Sequence, residues 1–187
     1  MKLSTRLSGQ MFQFQSVKEV LAKANELKSG DILAGVAASS DLERIAAKEV
    51  LSRMFLSELR ENPVVPYEED EVTRIIQDSV DETVYSRIRN WTVGELREYI
   101  LSYETSEEDI RTLSRGLTSE MIAGVCKLMS NLDLVYSAGK VRVPAHCNTT
   151  IGLRGTLATR LQPNHSTDNI DGITASLFEG LSYGCGD

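Results

Sequence analysis

NTTIGLRGTLATRLQPNHSTDNIDGITASLFEGLSYGCGD, residues 148–187, is the stretch that decides the fold. Its β-branched run Thr149-Thr150-Ile151 closes at Gly152 and predicts a short buried strand over 148–152. The loop after it, 153–168, carries Gly155, Pro163 and many polar groups. A helix is expected from near Asp168, with Ser166 or Thr167 as its cap. Ile170, Ile173, Leu177 and Leu181 fall at spacings of 3, 4 and 4, one helical stripe. Strand, loop and helix in this order form the unit of parallel α/β folds. There, chemistry sits on the loop after the strand's C-terminal end. Such a unit needs a neighbouring strand, and the sequence offers none that reads as its partner.

Upstream, the grammar changes. Leu3, Thr5 and Leu7, then Phe12 and Phe14, alternate around Ser8-Gly9, which predicts a β-hairpin over 2–14. Residues 16–136 read as short helices. Ser16 to Glu19, Ser40 to Glu43 and Thr92 to Glu95 each have capping-box spacing. Val17, Val20, Leu21, Ala24 and Leu27 form the first stripe, expected to stop at Ser29-Gly30. Thr105 or Ser106 caps a further helix, and Thr118 or Ser119 opens one through Ile122, Val125 and Met129. The acidic run 68–71 suits a helix N-terminus ahead of Val72, Ile75 and Ile76.

Composition narrows the function classes. A hydrophobic fraction of 41% and a charged fraction of 25% are ordinary for a globular chain. A net charge of −7 argues against nucleic acid and anionic membrane surfaces as partners. No apolar run approaches the ~20 residues of a membrane span. The N-terminus MKLSTRLSGQ lacks an apolar signal core, which points to the cytoplasm. Cys126, Cys147 and Cys185 are odd in number and far apart, as expected of reduced thiols.

Two side chains of the long loop invite a chemical reading. Pro163 biases Gln162 towards extended geometry. Side chains alternate in an extended segment, so Arg160 and Gln162 point to one side and Leu161 to the other. A guanidinium fork beside a carboxamide suits a small polar ligand bearing a hydroxyl or an amine. Neither group titrates near neutrality, so the pair is a poor general base. Taken on spacing alone, an exposed or structural pair is the stronger reading. Arg154 is expected in a structural ion pair, and Asn148 in satisfying backbone at the strand start. His146 and Cys147 fit no zinc spacing, so no metal is expected. His165 suits a cap or an exposed position. Cys126 is expected in core packing. The glycines match neither the dinucleotide nor the P-loop pattern.

The segments NTTIGLRGTLATRLQPN (148–164), GLTSE (116–120), RIIQD (74–78), ELREYILS (95–102) and KEVLAKANELKSGD (18–31) together resemble the ethanolamine ammonia-lyase large-subunit family. The resemblance covers the whole chain, up to LSYGCGD, and none of these motifs is diagnostic singly. It implies adenosylcobalamin as cofactor and ethanolamine as substrate. It makes Arg160 a catalytic and substrate-binding residue that hydrogen-bonds the substrate oxygen, and Gln162 a substrate-binding residue near the nitrogen. The family's pocket glutamate, aspartate and asparagine, and its cobalamin contacts, are expected beyond Asp187. In the implied reaction an adenosyl radical takes hydrogen from the hydroxyl-bearing carbon. The amino group migrates, and loss of ammonia leaves acetaldehyde. The resemblance further implies a small-subunit partner, association of large subunits into a higher oligomer, and, for some members, a bacterial microcompartment.

The resulting expectation is α+β passing into α/β. An N-terminal hairpin and short-helix domain spans 1–140. The first strand–helix unit of a truncated (β/α)8 TIM barrel spans 141–187. A complete barrel takes about 250 residues, so the piece alone is expected to be inactive. A non-catalytic helical assembly or adaptor module is the alternative. A helix-turn-helix regulator is disfavoured, because 41–54 sets Asp41, Glu43 and Glu49 against Arg44, Lys48 and Arg53, with no basic excess.

Overall fold

The computed structural model describes residues 2–146 and 150–185. The chain divides into two compact units, Met1–Val141 and Arg142–Asp187.

The first unit opens with the expected hairpin. β1 (Ser4–Leu7) and β2 (Gln10–Gln13) pair antiparallel, Leu7 opposite Gln10. Ser8 and Gly9 join them with φ of 50° and 82°. Both turn residues are left-handed, as a type I′ turn requires. Thr5 lies opposite Phe12 on the buried face, and its hydroxyl donates to Glu49 at 3.0 Å.

Helices follow: α1 (Val17–Lys23), α2 (Ser29–Leu33), α3 (Asp41–Arg53), α4 (Leu56–Glu61), α5 (Glu71–Asp78), α6 (Glu82–Ile88), α7 (Val93–Leu101), α8 (Glu107–Ser114), α9 (Ser119–Leu128) and α10 (Asn131–Ala138). The core gathers Val20 of α1, Leu51 of α3, Leu59 of α4, Leu96 of α7 and Met121 of α9, none with any exposed surface. Truncating any of these leucines or Met121 to alanine costs about 2–5 kcal/mol.

The caps explain why such short helices persist. Thr92 and Glu95 form a reciprocal box: the hydroxyl accepts the Glu95 N–H at 3.1 Å, and the carboxylate accepts the Thr92 N–H at 2.7 Å. At α1 and α3 the returning carboxylate reaches one residue further back. Glu19 accepts the Gln15 N–H at 2.6 Å, and Glu43 accepts the Ser39 N–H at 2.5 Å. Ser106–Asp109 and Ser130–Asp133 complete two more boxes with aspartate as the acid.

Three sequence expectations are corrected here. The first helix stops at Ala24 instead of Ser29-Gly30, Gly30 lies inside α2, and Leu27 is 55% exposed. The side chain of Asn25 explains the early stop: it donates to Asp31 at 3.1 Å and accepts from Lys127, so the chain turns away there. Cys126 is exposed instead of packed, and Ile122 is 46% exposed. The buried face of α9 runs through Met121, Gly124 and Val125. Gly124 faces Leu51, Leu59 and Val93, and a glycine on the core side hides the direction of the stripe.

In the second unit, β3 (Ala145–His146) pairs antiparallel with β4 (Thr150–Ile151). The predicted strand therefore has a local partner, which the sequence reading did not supply. Of its described residues, Thr150 and Ile151 are half-buried and Gly152 is exposed, so the strand is not buried. Cys147, Asn148 and Thr149 fall outside the described residues, so the roles expected of them do too. His146 Nδ1 lies 3.0 Å from the Thr150 hydroxyl. Gly152 has φ +86°, and a Cβ there would stand 2.6 Å from the Val143 carbonyl, so only glycine fits the end of this hairpin. No parallel strand pair occurs among the described residues. α11 (Ile170–Ser182) closes the unit. Asn169 caps it, accepting the Gly172 N–H at 2.9 Å, in place of Ser166 or Thr167. The cause is Asp168, whose φ of 53° is left-handed and cannot start a helix. The apolar stripe exists but is uncovered: Ile170 is 78% exposed and Leu181 46%.

Candidate functional site

The loop 153–169 connects β4 to α11. It begins with a turn in which Thr156 donates to the Leu153 carbonyl through both N–H (3.3 Å) and hydroxyl (2.8 Å). Gly155, third in that turn, has φ +74°, the position where a type II turn wants glycine. Arg154 is exposed in this turn, and its expected ion pair is not found among the described residues.

Further on, two loop side chains rest on α11 at glycines. Leu161 is half-buried over Gly180; a Cβ added there would stand 2.4 Å from Leu161 Cδ1. The His165 ring covers Gly172, where an added Cβ would stand 2.3 Å from Cδ2. His165 Nδ1 accepts the Thr167 N–H at 3.3 Å and lies 3.0 Å from its hydroxyl. That lone pair places the neutral ring's proton on Nε2. The histidine thus organises the turn that leads into α11, and the Asp168 N–H returns to its carbonyl at 3.0 Å.

Arg160 and Gln162 flank Leu161, and both are exposed. Among the described residues neither makes a hydrogen bond or an ion pair. The leucine turns to the helix while its two neighbours turn to solvent, which is the alternation an extended segment produces. A free guanidinium fork and a free carboxamide, tethered two residues apart on an anchored loop, can hold a small ligand carrying an oxygen and an amine. Electrostatics and hydrogen bonding are what they offer. The glycine seats that anchor the loop were missed in the sequence. The available signal was two glycines inside a periodic helix, each costing about 1 kcal/mol against alanine unless something approaches closely.

Among the described residues no group of three or more His, Cys, Asp or Glu side chains is placed to hold a metal ion. No helix of the described residues is long and apolar enough to cross a membrane.

The family model for "Ethanolamine ammonia lyase large subunit (EutB)" matches residues 12–187. The chain is 58% identical over its whole length to the ethanolamine ammonia-lyase large subunit of Salmonella typhimurium, and covers 41% of that protein. The large subunit of Escherichia coli K12 gives the same identity and coverage, 58% and 41%. The chain therefore spans about two fifths of the length of the curated relatives it matches. Likeness of this extent to enzyme subunits lends the helical-adaptor alternative no support.

Proposed function

The chain belongs to the ethanolamine ammonia-lyase large-subunit family, and from that premise we propose that it supplies the substrate-oxygen contact of an adenosylcobalamin-dependent lyase. The whole protein would convert ethanolamine to acetaldehyde and ammonia. The observation that carries the reading is the seating of Leu161 on Gly180, which leaves Arg160 and Gln162 presented together.

Arg160 would donate its N–H groups to the substrate hydroxyl. Gln162 would accept from the amine through its carboxamide oxygen. When bound, adenosylcobalamin supplies the radical that removes hydrogen from the substrate. The chain's own share is positional and electrostatic. A fixed cation beside the oxygen stabilises charge that develops as the amino group moves. The loop offers no walls to enclose a corrin, so no residue of this chain is assigned to it.

We read the second unit as the opening of a (β/α)8 barrel. β4, the loop and α11 supply one strand–helix step, and the uncovered stripe of Ile170, Leu177 and Leu181 is what a barrel helix would bury. A small-subunit partner, association of large subunits and a microcompartment setting belong to the same proposal. Because Arg160 and Gln162 stand in solvent, they lack the water-excluded surroundings that give such contacts their strength. The 187 residues alone should therefore release no ammonia from ethanolamine. The whole protein with its small subunit and cofactor should release it readily. Turnover by the short chain would overturn this reading of the site.

A further inference from the structure

We propose that the groove beside α9 and α10 in the first unit is a binding site for a small, multiply charged oxyanion such as a phosphate or diphosphate group. The groove encloses about 780 Å³ and is lined by Lys28, Lys48 and Lys127, with Asn25, Glu26 and Ser130 beside them. Three ammonium groups thus meet one carboxylate, on a chain whose net charge is −7.

The one carboxylate is already engaged. Glu26 lies 2.6 Å from Lys48 and 3.8 Å from Arg44. Its hydrogen bond from Lys48 holds it below the usual carboxylate range, so it stays ionised and fully used. Lys127 is half-buried and donates to the Asn25 side-chain oxygen, while Asn25 donates to Asp31 at 3.1 Å. The neutral amide oxygen accepts a hydrogen bond but cancels no charge. Burial first, and then the charge of Lys28, push the Lys127 ammonium below its ordinary range; Asp31 and Cys126 act against this, and Lys48 adds to it most weakly. Lys48 is paired with Glu26, but Lys28 opposes the Lys127 charge more strongly than Asp31 supports it. An oxyanion lodged between the lysines removes the repulsion and compensates the desolvation of Lys127. Two lysines beyond the one paired with Glu26 favour a group with more than one anionic centre. This inference stands apart from the lyase reading, since it uses residues of the first unit alone.

The test is a calorimetric titration of the purified 187-residue chain with inorganic pyrophosphate at fixed ionic strength. A single saturable site is expected. Lys127→Gln and Lys28→Gln should each weaken it at least fivefold, while Lys2→Gln should leave it unchanged. Lys28 is exposed, so Lys28→Gln carries the test if Lys127→Gln fails to fold. Cys126 is exposed on the same groove and reports occupancy. In a Cys147→Ser, Cys185→Ser background, pyrophosphate should slow its labelling by a maleimide. No saturable heat, equal affinity in all three lysine variants, or an unchanged labelling rate would each overturn the site.

Discussion

Leu161 occupies the space over Gly180 of α11 that a Cβ would fill, 2.4 Å from where that carbon would stand. This fixes the loop between Arg160 and Gln162, so a helix position without a functional group governs two that have them. The obstructing atom is the tip of a flexible side chain, so Gly180→Ala should fold. It should nevertheless shift the loop. In the whole protein, kcat/KM for ethanolamine should fall about 10- to 100-fold, the scale set by misplacement near 1 Å. Steady-state kinetics measure it, and unchanged kinetics would detach the loop from the helix seat.

Gly116 has a harder neighbour. A Cβ there would stand 2.9 Å from the Tyr85 backbone nitrogen and 3.2 Å from its Cα. Backbone cannot rotate aside, so Gly116→Ala should destabilise the first unit by about 1–3 kcal/mol. Urea denaturation of the chain measures this as a lower midpoint at unchanged slope.

The caps make stability depend on acid. Asp70 is held below its usual range by the Thr73 N–H, Glu95 by the Thr92 N–H, Asp109 by the Ser106 hydroxyl, and Asp133 by the Ser130 N–H and then Arg97. A carboxyl whose folded pKa is depressed adds stability above its unfolded value, about 4. That stability is lost as pH falls through the lower folded value. Tm should be nearly flat from about pH 7 to 5 and fall steadily below about 4. Glu95→Gln should lessen that fall. A Tm independent of pH down to about 3 would contradict the role given to the caps.

Gln162 is assigned a neutral hydrogen bond to the substrate amine. Such a bond contributes about 0.5–1.5 kcal/mol. Gln162→Ala in the whole protein should therefore raise KM by up to about tenfold, with kcat less affected. A fall in kcat alone would place the amide in the transition state instead.

Much of the fold can be read directly from residues. The hairpin follows from Ser8-Gly9 between alternating apolar positions. The starts of α1, α3 and α7 follow from Ser16, Ser40 and Thr92, because capping is local chemistry. Two of the misreadings share a cause: a tertiary contact outweighed the local pattern. Asn25 ends α1 through Asp31 and Lys127, and Gly124 turns α9 so that Cys126 faces out. Of the site, the opposed directions of Arg160 and Leu161 were legible from chain geometry. Their anchor was not, since Gly172 and Gly180 reveal their use only when His165 and Leu161 are placed against them.

The substrate contact given to Arg160 is tested most directly by turnover of Arg160→Ala and Arg160→Lys in the whole protein, loaded with cofactor and small subunit. A lost cation beside the shifting charge should lower kcat by several orders of magnitude in the alanine variant. Lysine should restore only part of it, because it keeps the charge but lacks the planar fork. Near-normal turnover of ethanolamine by Arg160→Ala would contradict the account.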